Sequence, residues 1–479
     1  MSIRRSLVFS VIEKYGGLLI NVVTVVVLAR LLSPVETGLF SVASGLVNIA
    51  QTFRDFGIAN YIIQEKEMTR PRLATAIGIS LLIGFGFAAL FLGGAGVIAS
   101  LFGAPELRGV IMFLSLNFLA VPLSSVAIAL IRRRMDFGVS LRLGLIAALV
   151  NCGVSILAAS NGYGALSLAW ASTSAILVTL LMAILHLKGD ILVRPSLTEW
   201  RRVTSFGLFA SGAQILNEIS QRLPEIALGR TLGFGAVGFY SRGNSLITLF
   251  SQTVIQAVWP VAVSALAQLH RQGESLRQPY LNALSLLTGI AWPMLVLLAL
   301  LAHPIIDTVF GAQWLPSVPV SRWLCLAAGF GVLSQINISV FNATGRVRQS
   351  LFVQAMVVPV QVGLLVVATS FGMVEVAMAA LAVSVLHAAL SLSQTLPLVG
   401  CRWGEVCRML VPSLGVTVAT ALIPLCVGMG LGWEAPMSIL GLAAVAGVCI
   451  VPWLAGVWLL RHPLGNEIVT LIRHVRRPR

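Results

Sequence analysis

The chain has 479 residues, of which 57% are hydrophobic and only 10% charged. Soluble domains carry about 25% charged residues, so folding in water would leave large apolar surfaces uncovered. This excludes a soluble enzyme, a secreted module and a disordered regulator, and leaves a polytopic membrane protein. The net charge of +15 has to be read against a bilayer before it is read as a nucleic-acid signal.

Apolar runs recur at even spacing from the first residues onward. They predict spans over 11–31, 39–63, 74–101, 109–131, 142–160, 164–187, 203–228, 238–265, 281–309, 320–342, 350–370, 373–397, 409–430 and 437–460. Fourteen spans of about 20 residues use roughly 280 residues. The first run is too long for the apolar part of a signal peptide and reads as an uncleaved helix. The longest polar connection is 186–202, so no soluble domain is inserted. With the N-terminus in the cytoplasm, alternate connections collect 25 of the 32 basic residues, and the alternation never reverses. Both termini are therefore expected in the cytoplasm.

The two halves resemble each other. At an offset of 200, Gly38-Leu39-Phe40-Ser41 faces Gly238-Phe239-Tyr240-Ser241, and Arg30 faces Arg230; at 208, Phe102-Gly103-Ala104 faces Phe310-Gly311-Ala312. Helices 1 and 7 then run in the same direction, so the repeat is parallel, about an axis along the membrane normal. The expected fold is all-α, with two pseudo-symmetric six-helix lobes (1–200 and 201–400) and two extra helices with a basic cytoplasmic tail (401–479).

A charge at mid-helix costs about 2.5–3.5 kcal/mol on insertion scales, so its position is informative. The second span carries Arg54 and Asp55. The seventh carries Gln214, Asn217, Glu218, Gln221, Arg222 and Glu225, with 214–218–221–225 as one helical stripe. The eighth carries Arg242, Asn244, Gln252 and Gln256. The first and seventh spans end at Arg30 and Arg230. These helices are expected to line a cavity. Structural alternatives stand beside that reading: a neutralised Arg54/Asp55 pair, an ordinary i,i+4 Glu218/Arg222 salt bridge, and Arg30, Arg230 and Arg242 snorkelling to lipid phosphate. Isolated polar residues elsewhere, such as Asn117 and Asn151, read as hydrogen-bonding groups between helices.

Other chemistry is missing from the sequence. It has no phosphate-binding G-x-x-x-x-G-K-[ST] loop, no H-E-x-x-H or G-x-S-x-G motif and no paired-cysteine metal spacing. Its six cysteines and six histidines are scattered. The expectation is a transporter rather than an enzyme, with no metal and no cofactor, driven by a proton or sodium gradient, the membrane potential or consumption of its product. Asp55, Glu218 and Glu225 are the carboxylates available for ion coupling. The arginines of 473–479 are expected against anionic lipid rather than nucleic acid.

The segments Ala29-Arg30-Leu31-Leu32-Ser33-Pro34 with Gly38-Leu39-Phe40, then Phe53-Arg54-Asp55-Phe56-Gly57, Gly229-Arg230, Gly238-Phe239-Tyr240-Ser241-Arg242, Pro260, Phe310-Gly311-Ala312-Gln313-Trp314 and Gly345-Arg346 carry a resemblance. Over about residues 1–400 the chain resembles the polysaccharide transport branch of the multidrug/oligosaccharidyl-lipid/polysaccharide exporter superfamily, which includes Wzx-type and colanic-acid-type flippases. The resemblance implies translocation of an undecaprenyl-diphosphate-linked oligosaccharide across the bacterial inner membrane by alternating access, with membrane lipids around it and a polysaccharide polymerase as a candidate partner. Arg54, Arg222 and Arg242, with Arg30 and Arg230 at the rim, then become candidates for the diphosphate, because guanidinium forks match phosphate oxygens. Asn217, Gln221, Asn244, Gln252 and Gln256 become candidates for sugar hydroxyls. The rival readings are a peptidoglycan-precursor flippase, a multidrug or cation exporter of the same superfamily, a membrane glycan polymerase or ligase, and a scaffold.

Overall fold

The computed structural model describes residues 3–55, 58–65, 67–187, 193–255, 264, 266–432 and 437–475. The following helices organise the described residues, beside a helical stretch over 266–271. They are α1 (Ile3–Leu31), α2 (Pro34–Asp55), α3 (Ile58–Gln64), α4 (Arg70–Leu101), α5 (Pro105–Ser115), α6 (Asn117–Arg133), α7 (Phe137–Ser160), α8 (Ala165–Leu187), α9 (Trp200–Thr231), α10 (Phe234–Phe250), α11 (Arg277–Leu300), α12 (Ser317–Ala343), α13 (Val347–Ala368), α14 (Met373–Val399), α15 (Trp403–Leu431), α16 (Ile439–Leu459) and α17 (Pro463–Val475), with single short turns between Ala302 and Trp314. The chain is an all-α, multi-pass membrane protein.

Eleven described helical segments are long and apolar enough to cross a bilayer. Of the fourteen spans expected from the sequence, the second, seventh and eighth do not meet that measure. They correspond to α2 with α3, to α9 and to α10. For α2 and α9 the reason is compositional, since they carry the polar and charged stripes, whereas α10 is 17 residues long and falls short of a full span.

The chain divides into two compact units, Met1–Gly238 and Phe239–Arg479. In the first, α1 packs on α7, α7 on α8, α4 on α5 and α6, and α2 on α5 and α9. One core joins Leu39, Ala43, Val47 and Ala50 of α2 to Leu107, Ile111 and Phe118. Another joins Ile62, Ile77, Ile131 and Leu187. Large apolar side chains such as Leu82, Phe85 and Leu90 stay exposed, as expected of faces solvated by lipid rather than water.

Basic residues that the sequence assigns to the cytoplasmic side also tie connections together. Arg133 donates to the carbonyls of Ile62 (2.7 Å) and Glu65 (2.6 Å), satisfying orphan acceptors at the end of α3. Arg72 lies 3.5 Å from Glu65 and 3.4 Å from Glu199. The segment before α9 is laid against α4, where Ser196 N–H donates to Ala74 O at 3.1 Å. Gly78 permits the approach, because a Cβ there would collide with the Ser196 carbonyl oxygen. Gly78→Ala is expected to lower stability by about 1–3 kcal/mol through overpacking against backbone, read as a lower thermal midpoint in detergent.

In the second unit α11 is central, packing on α12 and α15, while α12 packs on α14. A buried polar relay crosses three of these helices. Tyr280 O–H donates to Asn337 Oδ1 (2.9 Å), and Asn337 Nδ2 donates to Ser391 Oγ (2.9 Å). Such bonds hold helices together where lipid offers no hydrophobic driving force between them. Asn117, expected in that role, is buried at the α5–α6 break with its Oδ1 lacking a hydrogen-bond partner.

Candidate functional site

The start of α2 explains the Ser33-Pro34 part of the block that carries the resemblance. Glu36 Oε2 accepts from Ser33 N–H and O–H, both at 2.8 Å, and Glu36 N–H donates to Ser33 Oγ at 3.3 Å. This is a reciprocal capping box, and Pro34 occupies the first helical position, where its missing N–H costs nothing.

From that start α2 presents two faces. Leu39, Ala43, Val47 and Ala50 enter the core. Gly38, Val42 and Gly45 face the α9–α10 segment. A Cβ at Gly38 would collide with the Phe234 carbonyl oxygen, and one at Gly238 with the Pro34 carbonyl oxygen. These residues are matched at the offset of 200, Pro34 with Phe234 and Gly38 with Gly238, so each touches the counterpart of its partner. Reciprocity of this kind is the mark of a local two-fold relation. Further along, a Cβ at Gly229 would lie 2.8 Å from Val42, and one at Gly45 would lie 3.6 Å from Arg222 Cδ. The Arg222 stem therefore lies along the Gly45 backbone.

Arg222 serves two carboxylates of its own helix. Its Nε donates to Glu218 Oε1 at 3.0 Å, and its Nη1 lies 4.0 Å from Glu225 Oε2. Glu225 is 6% exposed and its Oε2 lacks a hydrogen-bond partner. The triad carries a formal charge of −1, so Arg222 is not a surplus cation. The i,i+4 pairing named from the sequence is present, and the second carboxylate extends it.

The other sequence-derived residues fall in separate places. Arg54 is 2% exposed. It lies nine residues, two and a half turns, from Gly45, on the α2 face that Leu39, Ala43, Val47 and Ala50 turn to the core. It therefore does not share a face with the Arg222 contact. Asp55 ends α2, and its side chain lies outside the described residues. Arg30 and Arg230 are exposed in the last turns of α1 and α9. Asn217 is half-buried and Gln221 exposed.

In the second unit Arg242 is 7% exposed, with its guanidinium carbon 4.3 Å from the Trp314 ring centre and 4.9 Å from that of Phe310. Buried Arg242 is held by aromatic faces and does not snorkel to lipid. Phe239 packs edge-on to the same Trp314. The sequence marked Phe310-Gly311-Ala312-Gln313-Trp314 as a recurring block but did not link it to Arg242. Asn244 is half-buried, and its carbonyl accepts from Thr248 O–H at 3.1 Å. Gln252 sits where α10 widens into a π turn, Ser251–Ile255, a feature frequent at functional sites. Gln256 lies outside the described residues. Among the described residues no group of His, Cys, Asp and Glu is placed to hold a metal.

Residues 27–319 match the model of a family described as polysaccharide biosynthesis protein. The chain is 27% identical over 339 residues to the succinoglycan biosynthesis transport protein ExoT of Rhizobium meliloti (strain 1021), covering 68% of this chain and 66% of that one. It is 27% identical over 316 residues to the lipopolysaccharide biosynthesis protein WzxC of Escherichia coli (strain K12), covering 64% and 63%. The chain thus spans just under two thirds of the length of these relatives. Among solved structures, the lipid II flippase MurJ in an inward closed conformation superposes with a TM-score of 0.78 at 13% identity, covering 96% of this chain and 99% of that one. An inward-facing multidrug resistance MATE family transporter of the MOP superfamily gives 0.60 at 16% identity, covering 84% and 95%. At these identities the structural likeness establishes the fold. With more than half of its length matched by the family model, the chain belongs to the polysaccharide biosynthesis protein family and carries the fold of the flippase and exporter structures that superpose on it.

Proposed function

We propose that the protein is a transporter, not an enzyme, that moves a lipid-linked sugar across the bacterial inner membrane. The observation that carries this reading is the segregation of charge. Among the described helices, the ones that stand for expected spans but lie outside the apolar-span set are polar α2 and α9 and the short α10, and they hold most of the sequence-derived site residues. Membrane-embedded charge of this kind is costly, and function is the usual reason for it. The first reading of the cargo is an undecaprenyl-diphosphate-linked oligosaccharide, with Arg54, Arg222 and Arg242 toward the diphosphate, Arg30 and Arg230 at the rim, and Asn217, Gln221, Asn244, Gln252 and Gln256 toward sugar hydroxyls. Two lobes of six helices with two further helices, N- and C-termini in the cytoplasm, complete this proposal.

A second reading is favoured by the fold comparison: a flippase for a peptidoglycan-precursor lipid. The likeness to the lipid II flippase extends over 96% of the chain, against 84% for the multidrug transporter. Both cargoes are lipid diphosphates, so the same arginine chemistry serves either. Vesicles containing the purified protein and one fluorescent lipid-diphosphate sugar at a time test the proposal. Protein-dependent movement of either cargo between leaflets is expected, and movement of neither, beside active transport of an organic cation, refutes it.

Coupling is assigned to Glu218 and Glu225, with Asp55 as the third carboxylate. Glu218→Gln is expected to blunt the response of transport to an imposed proton or sodium gradient in such vesicles. A response equal to the parent's removes Glu218 from that role.

A further inference from the structure

We propose that His462 is a proton-sensitive pin that holds the C-terminal helix α17 against α11 and α15. The imidazole is 2% exposed. Its Nε2 lies 3.0 Å from Ser413 Oγ on α15 and 3.2 Å from Ser285 Oγ on α11. Its Nδ1 accepts from Leu464 N–H at 3.2 Å. A ring nitrogen that accepts carries no proton, so the proton of the neutral ring sits on Nε2 and points at the serines.

The relay continues in one direction. Thr288 O–H donates to Leu284 O at 2.8 Å, leaving Thr288 Oγ1 to accept from Ser413 at 2.9 Å. His462 donates to serine, and serine to threonine. This polarity excludes the nucleophile–base reading that a Ser–His contact otherwise invites, in which the imidazole must accept the serine proton.

The backbone is shaped around the pin. The end of α16 closes with His462 N–H on Val457 O (2.9 Å) and Arg461 N–H on Trp458 O (3.2 Å), a pattern that places its turn residue in the left-handed region, usually glycine. Here that residue is Arg461, at φ 49°, a strained choice. Gly289 on α11 makes room for the ring, since a Cβ there would lie 2.8 Å from His462 Nε2. Trp453 Nε1–H donates to Gly289 O at 3.0 Å. Beyond the ring, Leu464 enters an apolar cluster with Val416 and Val457, while Asn466, Glu467 and Thr470 are exposed.

Protonation undoes this arrangement. A proton on Nδ1 meets the Leu464 N–H donor head-on and removes its acceptor. The charged and titratable groups on the packed elements are Arg277 and Tyr280 on α11, Glu405, Cys407, Arg408 and Cys426 on α15, Cys449 on α16, Arg461 and Glu467 beside the ring, and Arg473 and His474 about three turns further along α17. Glu405 is held by Arg277 and by Arg402 N–H, and Tyr280 by Asn337. Burial holds the imidazole below its ordinary value of 6.5. A lowered value favours the neutral ring in the docked state, so docking is full above 6.5 and weakens as the pH falls below it.

Hydrogen exchange of the full-length protein in lipid nanodiscs at pH 8 and 5.5, corrected for intrinsic rates, tests the pin. With the ordinary value of 6.5 for a released ring, the amides of 466–470 are expected to open more at pH 5.5, by up to about tenfold. His462→Gln, which keeps one donor and one acceptor, is expected to stay protected at both. Equal protection of the parent at the two values, or the parent's pH response surviving in His462→Gln, overturns the proposal. Ser413→Ala supplies a second variant, with weaker protection already at pH 8 expected. Unchanged protection there also overturns it.

Discussion

Arg222→Ala is expected to reduce export of the lipid-linked sugar about 10–150-fold, the equivalent of one charge-assisted interaction of about 1.5–3 kcal/mol. The substitution removes the guanidinium that pairs with Glu218 and Glu225 and leaves buried Glu225 beside an apolar side chain. Two causes are separable. If Arg222 serves only to neutralise its carboxylates, adding Glu218→Gln and Glu225→Gln to Arg222→Ala restores movement of the lipid-linked sugar between leaflets in vesicles without an imposed gradient, a readout that does not need the coupling assigned to those carboxylates. If its guanidinium holds the diphosphate, the triple variant stays inactive and Arg222→Lys recovers only part, since an ammonium lacks the planar fork. The measurement is polysaccharide export in a strain lacking the native protein, with membrane insertion of each variant checked by immunoblot. Full export by Arg222→Ala sinks the diphosphate assignment at this residue.

The second large effect is steric. Gly38→Ala and Gly238→Ala each drive a methyl group into a helix backbone carbonyl, that of Phe234 and of Pro34. Backbone cannot give way as a flexible side chain does, so each is expected to cost about 1–3 kcal/mol, and Gly38→Val more. The two contacts share one crossing. Once either methyl group has spread α2 from α10, the other finds room, so the double alanine variant is expected to cost less than the sum. Thermal denaturation in detergent measures all three. Strict additivity would falsify the reciprocal crossing. By contrast Gly17, where a Cβ meets nothing within 4 Å, is expected to accept alanine without loss, and supplies the control.

Much of the helical order was legible because membrane helices advertise themselves through apolar runs of fixed length. The polar helices were legible by the same token, as interruptions of that signal. The stripe 214–218–221–225 and the Glu218/Arg222 pair were readable because three- and four-residue spacing places side chains on one face of any helix. What periodicity does not carry is which face meets which neighbour. Arg54 and Arg222 looked like equivalent members of one cationic set. In the fold Arg54 lies on the core face of α2, and Arg222 lies against the opposite face of the same helix. Arg242 reads from the sequence as a cavity candidate for the diphosphate, with snorkelling to lipid from a helix end as the structural alternative. Its burial depends on Phe310 and Trp314, roughly seventy residues further along, and contacts at that separation leave no local trace. His462 was one of six scattered histidines until α11, α15 and the α16–α17 turn converged on it.

The sequence by itself determined class and order: a multi-pass, all-α membrane protein, the chain positions of its helices, the repeat at an offset near 200, and the family. Class and helix positions follow from composition and short-range periodicity, which solvation by lipid imposes residue by residue, whereas the repeat and the family rest on matched sequence segments. Only the tertiary structure decided which charges are already neutralised, that Gly38 and Gly238 meet each other's helices, and that a buried histidine fastens the C-terminal helix. Those facts depend on distances between residues far apart in the chain, and packing alone sets them.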